Sequence, residues 1–182
     1  ALELLRRRPK LVRSLILAST TAYDDYRPDL DNWPAYQDRF TPEMAAFQQH
    51  AFREAPAAGP EPSRSLALKT LPLDVFDLAH LPAARQLIEQ IQFSSEWIKA
   101  FRAGALTRAP LDPNELFHKN GPPLLILHGA GDMRFPVRMA RRLHATVSGS
   151  RLVVLPEAGH LAYLEAPEPW LAAIRQFLAP QP

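Results

Sequence analysis

The chain has 182 residues, enough for one domain with a sizeable core, or one domain carrying an insertion. Its formal charge of +2 is too small and too scattered to argue for nucleic acid. No stretch approaches the roughly 20 apolar residues of a membrane span. Without cysteine there is no disulfide, no thiolate nucleophile and no cysteine zinc site. The opening Ala1 to Arg8 lacks the order of a signal peptide, so a soluble, cytoplasmic protein is the expectation.

Taken in order, Ala1 to Arg8 reads as a helix with Leu2 and Leu5 on one face, stopped by Pro9. Arg6, Arg7, Arg8, Lys10 and Arg13 gather at its end, where cations suit the helix dipole and face water. Leu11 to Ser19 is an apolar run with branched residues, the pattern of a strand buried on both faces. From Thr20 to about His118 the chain changes character. Polar turns over Tyr23 to Pro28 and Asp29 to Pro34 precede a helix signalled by Thr41 as cap, Pro42 in the first turn, and Met44, Phe47 and Ala51 on one face. Ala55 to Ser65 reads as a connector. A second helix is expected from Pro82 to about Gly104, with Leu87, Ile91, Ile98, Phe101 and Ala105 along one stripe.

Pro122 to His128 is again a strand. Pro136 then opens a helix through Val137, Ala140, Leu143 and Val147 that Gly149 ends. Arg151 to Leu155 is the next strand, and Trp170, Ile174 and Phe177 mark the inner face of a last helix. Strand, helical insertion, strand, helix, strand, helix is half of a doubly wound α/β sheet.

Two phrases carry the chemistry. His128-Gly129-Ala130-Gly131-Asp132 and Pro156-Glu157-Ala158-Gly159-His160 each close a strand, at the edge where open parallel sheets hold their ligands. A carboxylate within reach of imidazole Nδ1–H fixes the tautomer and leaves Nε2 free to take a proton. Asp132 alone would read as a helix cap; paired with His160 across one helix and one strand, the two become candidate catalytic residues. His128 reads as structural support for the acid turn. His50, His80, His118 and His144 show no metal-ligand spacing, so no metal is expected. Phe93, Trp97 and Phe101 are candidates to line an apolar substrate pocket, with packing inside the insertion as the competing reading.

The runs LVRSLILAS, PPLLILHGAGDMRFP and RLVVLPEAGHLAYLEAPEPW resemble the sixth strand, the seventh strand with its acid turn, and the eighth strand with its histidine turn of α/β-hydrolases. The resemblance implies the C-terminal part of an α/β-hydrolase sheet, parallel strands with flanking helices, interrupted by a mainly helical cap. Residues 1–19 and 119–182 would form the core and 20–118 the cap. Asp132 would be the acid and His160 the base of a serine carboxylic ester hydrolase acting on a small ester-like substrate without a cofactor. Glu165, with Pro167, would anchor the last helix.

The family's Gly-x-Ser-x-Gly elbow does not occur in these residues. Nucleophile and oxyanion hole are therefore expected from an N-terminal half, in the same precursor or a separate chain, and this chain alone is expected to be inactive. Ser19, at a strand tip, lacks the flanking glycines and following helix that an elbow needs. A dehalogenase, an epoxide hydrolase or a proline iminopeptidase-like enzyme of the same fold remains open, as does a non-catalytic half that binds a partner.

Overall fold

The apolar runs pair as parallel strands. In the computed structural model, which describes residues 1–54, 60–94, 96, 99–100, 103–104, 112–117 and 121–179, β1 (Leu15–Ala18), β2 (Leu124–Gly129) and β3 (Arg151–Leu155) form one parallel sheet in the order β1-β2-β3. Leu17 lies opposite Ile126, and His128 opposite Val154. Among the described residues, α1 (Leu2–Arg7) precedes the sheet. Between β1 and β2 come α2 (Arg27–Asp31), α3 (Pro34–Arg39), α4 (Pro42–Glu54), α5 (Glu61–Thr70), α6 (Leu81–Glu89) and α7 (Pro113–Leu116). Helix α8 (Val137–Thr146) joins β2 to β3, and α9 (Ala162–Glu165) and α10 (Pro167–Leu178) follow.

β2 is central and buried throughout, as a strand covered on both faces must be. Side-chain alternation divides it between two layers. Leu124 and Ile126 join Leu17 against Ala140, Leu143 and Val147 of the α8 region. Leu125 and Leu127 face the other way, with Leu155, Ala158, Ala162 and Ala173, and with Trp170, Ile174 and Phe177 of α10 packed against them. The stripes read from the sequence for the last two long helices are thus the faces that cover the sheet.

The segment between β1 and β2 has two apolar clusters of its own, and each reaches a loop at the sheet's carboxyl edge. Leu30, Tyr36, Met44 and Leu73 enclose Met133 beside Asp132. Leu71, Val75 and Ala84 pack with Leu161 and Leu164 beside His160. Thr41 caps α4 as expected, its Oγ1 accepting the Met44 N–H at 3.2 Å.

Several local expectations are corrected. The strand predicted from Leu11 begins at Leu15, because Pro9–Leu11 form a 3-10 turn and leave Leu11 71% exposed. The polar run read as turns contains α2, with Pro28 in its first turn and Leu30 buried. The connector ends early, since Ser63 and Ser65 belong to α5 and Ser63 is buried. The long helix from Pro82 stops at Glu89. Its residues Leu81, Ala84 and Ile88 pack with Leu71 and Val75, whereas Ile91, past the end, is 49% exposed: the apolar surface that rewards helix has run out. Ile98, Phe101 and Ala105 lie outside the described residues.

Several arginines are engaged in ion pairs on the surface of the fold. Arg6 and Arg7 both bond Glu3, and these hydrogen bonds, Arg6's first, hold the Glu3 carboxyl down at about 2. Arg138 grips Asp29 with bonds of 2.7 and 2.8 Å, and Arg142 grips Asp25 at 2.8 and 2.9 Å while lying 3.9 Å from the Tyr23 ring centre. The turn after β1 is thereby strapped to α8. Among the described residues no helix is long and apolar enough to cross a membrane.

The hydrogen bond from Arg138 holds the Asp29 carboxyl below the usual carboxylate range. A depressed folded-state value means that the strap contributes fully above about pH 4, the unfolded carboxylate value, and is lost as pH falls through the folded one. Asp29→Asn should therefore lose less stability than the parent between pH 4 and the acid transition. Denaturant midpoints across a pH series will check this; parallel curves would remove Asp29 from the acid response.

Candidate active site

The site begins with contact between two backbones. Beyond β2, the Ala130 N–H donates to the Leu155 carbonyl at 2.8 Å and the Gly131 N–H to the Ala158 carbonyl at 2.9 Å. The turn carrying Asp132 therefore lies directly on the turn carrying His160. A Cβ at Gly129 would stand 2.2 Å from the Gly159 carbonyl oxygen, and one at Gly131 2.3 Å from a Phe76 ring carbon. Only glycine permits the backbone approach at 129; at 131 the neighbour is the Phe76 ring, a side chain.

Asp132 is fully buried and uses both carboxylate oxygens. Oδ1 accepts the N–H groups of Arg134 at 2.8 Å and Phe135 at 2.9 Å, closing a local turn ahead of α8, whose N-cap is Pro136. Oδ2 stands 3.1 Å from His160 Nδ1. A carboxylate can only accept, so Nδ1 carries the proton and Nε2 is the basic nitrogen. The His160 side chain is 27% exposed, open enough for a reactant to reach it. The Phe135 ring meets the imidazole edge-on at 5.7 Å, and Tyr26 meets Phe135 in the same way at 5.5 Å. His128, fully buried, donates from Nε2 to the Phe135 carbonyl at 2.7 Å and lies 3.4 Å from Asp132 Oδ2, the supporting position expected of it.

A framework that the sequence reading did not assign surrounds this pair. Arg134 forks onto Asp74 at 2.5 and 2.9 Å and also bonds the Thr70 hydroxyl and carbonyl. Arg39 donates to the carbonyls of Pro72, Val75 and Phe76. The Leu161 N–H donates to the Asp74 carbonyl at 2.9 Å. Thr70 to Asp77 is thus a hub, tied to the acid turn by Arg134 and to the histidine turn by Leu161. The available signal was an acid, Asp74, set among Leu71, Leu73 and Val75, because a carboxylate in such a run must find a partner or stay in water.

Glu165 corrects another expectation. Its carboxylate bonds the N–H groups of Gly159, Phe76 and Asp77, and none of these belongs to α10.

Of the pocket candidates, Phe93 lines a surface cleft of about 370 Å³ with Pro60, Glu61, Arg64 and Ile91, and neither Asp132 nor His160 borders it. Trp97 and Phe101 lie outside the described residues. Ser19 has φ 44, a left-handed conformation rare for a side-chain-bearing residue, and its N–H donates to the Leu127 carbonyl. No helix follows it until α2 at Arg27, so no helix N-terminus stands behind its hydroxyl. Among the described residues, no group of three or more His, Asp or Glu side chains could hold a metal ion.

Sheet order, carboxyl-edge loops and the acid–histidine pair together define an α/β-hydrolase architecture. The sequence profile of the alpha/beta hydrolase fold matches residues 1–167, and the chain belongs to that family. It is 30% identical over 188 aligned positions to the pimeloyl-[acyl-carrier protein] methyl ester esterase of Neisseria meningitidis serogroup B (strain H44/76), a match covering 98% of this chain and 64% of that protein. The chain thus spans a little under two thirds of that relative's length. Among solved structures, an esterase from Thermogutta terrifontis is 25% identical with a TM-score of 0.62, covering 97% of this chain and 59% of that one. An α/β fold family hydrolase from Bacillus anthracis str. Sterne gives a TM-score of 0.70 at 13% identity, covering 98% and 63%; this second likeness concerns the fold alone.

Because the two turns touch through backbone, Gly129→Ala should cost upward of about 3 kcal/mol, the top of the range for overpacking. Gly149→Ala, with open space around it and φ +77, should cost only the left-handed penalty of about 1–2 kcal/mol. Denaturant unfolding of both variants makes the comparison, and equal costs would refute the close-approach argument.

Proposed function

We propose that this chain supplies the acid and the base of a serine carboxylic ester hydrolase. The observation that carries the reading is the 3.1 Å contact of His160 Nδ1 with Asp132 Oδ2, on a carboxylate whose other oxygen is filled by two amides. Asp132 holds the imidazole in one tautomer and stabilises the imidazolium. His160 Nε2 takes the proton of a serine hydroxyl as it attacks the ester carbonyl, then returns it to the departing alcohol. A water molecule, deprotonated by the same nitrogen, releases the acid. Family membership and the relatives' names support ester chemistry, and a methyl ester of an acyl group is the first substrate to try.

The serine and the oxyanion-hole amides belong, in this proposal, to an N-terminal half of the fold that lies against the outer edge of β1. Two observations support it. Among the described residues β1 pairs with β2 alone, and Leu4 and Leu11 nearby in the chain are 52% and 71% exposed. On this reading the chain by itself is inactive, and Tyr26 and Phe135 border the substrate beside His160.

In the intact protein, Asp132→Asn should lower kcat on a short acyl methyl ester about 10⁴-fold. Near-native turnover would remove Asp132 from the mechanism. A fluorophosphonate probe should label a serine in the parent, which separates this reading from the aspartate nucleophile of dehalogenases and epoxide hydrolases.

A further inference from the structure

Glu165 ends the short helix α9, and its side chain has no exposed surface. Three backbone N–H groups converge on its carboxylate: Gly159 on Oε2 at 2.6 Å, and Phe76 and Asp77 on Oε1 at 2.7 and 3.0 Å. His80 Nδ1 lies 3.6 Å from Oε1, beyond hydrogen-bond distance. The carboxylate therefore ties together two stretches of chain that also pack against each other through Leu71, Val75 and Leu161. One is the residue directly before His160. The other is the hub segment, whose Asp74 carbonyl already accepts the N–H of Leu161, the residue directly after His160. Both flanks of the histidine are referred to the same backbone, and one side chain closes the bracket.

We propose that Glu165 is a positioning residue for the general base: through Gly159 it sets the His160 ring at hydrogen-bond distance from Asp132. The proposal rests on the reading of His160 as base. Alignment of acid and base must hold to about 0.5 Å, and a displacement of about 1 Å costs on the order of 10²-fold in rate. A carboxylate suits this place because it accepts from both stretches and donates to neither. An amide would turn an NH₂ group toward either Gly159 or the Phe76–Asp77 pair, so one stretch must move away.

The test is Glu165→Gln in the intact protein, followed by proton NMR of the imidazole Nδ1–H that bonds Asp132. Asp132→Asn identifies that resonance by abolishing it. In Glu165→Gln the resonance should move upfield and exchange faster with water. On an acyl methyl ester, kcat should fall 10- to 100-fold with KM unchanged. An unchanged resonance and unchanged kcat, with only a lower Tm, would overturn the proposal and make Glu165 a structural tie. Should the glutamine variant fail to fold, Glu165→Asp keeps the charge on a shorter arm and must show the same upfield movement; an unmoved resonance there overturns it equally. Because the resonance reports the Asp132–His160 bond without turnover, it decides the role of Glu165 even if the intact protein hydrolyses no ester.

Discussion

Two backbones in direct contact at the carboxyl edge of the sheet are the constraint on which the site depends. Where Gly129 meets Gly159 there is no room for a Cβ, and the Gly131–Ala158 hydrogen bond locks the approach in register. A turn positioned through side chains would inherit their rotamer freedom. One positioned through peptide groups inherits the stiffness of the sheet. Asp132 and His160 can therefore sit far apart in sequence and still face each other at hydrogen-bond distance.

That edge is also where the helical segment is fastened. Met133 belongs to one of its clusters and Leu161 to another, so the residues beside the acid and the histidine are buried by elements that lie between β1 and β2. Arg134 adds a polar fastening of the same kind, with its N–H on Asp132 and its guanidinium on Asp74 and Thr70. Burial of a guanidinium is costly unless its donors are used, and here they are shared between a carboxylate, a hydroxyl and a carbonyl.

The parts legible in the sequence are those whose physics is local. β2 and β3 announce themselves as short apolar runs, and the acid and histidine turns as glycine-flanked polar residues just beyond them. Thr41 shows its capping role within one helical turn. The extent of α6 was not legible, because its apolar stripe continues past the point where Leu71 and Val75 cease to cover it. Nor was the start of α5, where proline- and serine-rich text disguised a helix that buries Ser63 and Thr70. The role of Glu165 lay furthest from reach. Its partners Phe76 and Asp77 are brought to it only by the completed fold, and a spacing such as Glu-x-Pro says nothing about which amides will converge on the carboxylate. Phe93, expected on the long helix from Pro82, lies past the end of α6 and lines a cleft apart from Asp132 and His160.

The double attachment of Arg134 has an evolutionary consequence. A natural recombination or a laboratory chimera that replaced residues 20–118 wholesale would exchange more than the helices between β1 and β2. It would in fact discard Thr70 and Asp74, the sockets into which the acid turn plugs, along with the Phe76 and Asp77 amides that receive Glu165. The workable seam runs around Thr70 to Asp77, which travels with the acid and histidine turns although it is written in the middle of the segment between β1 and β2.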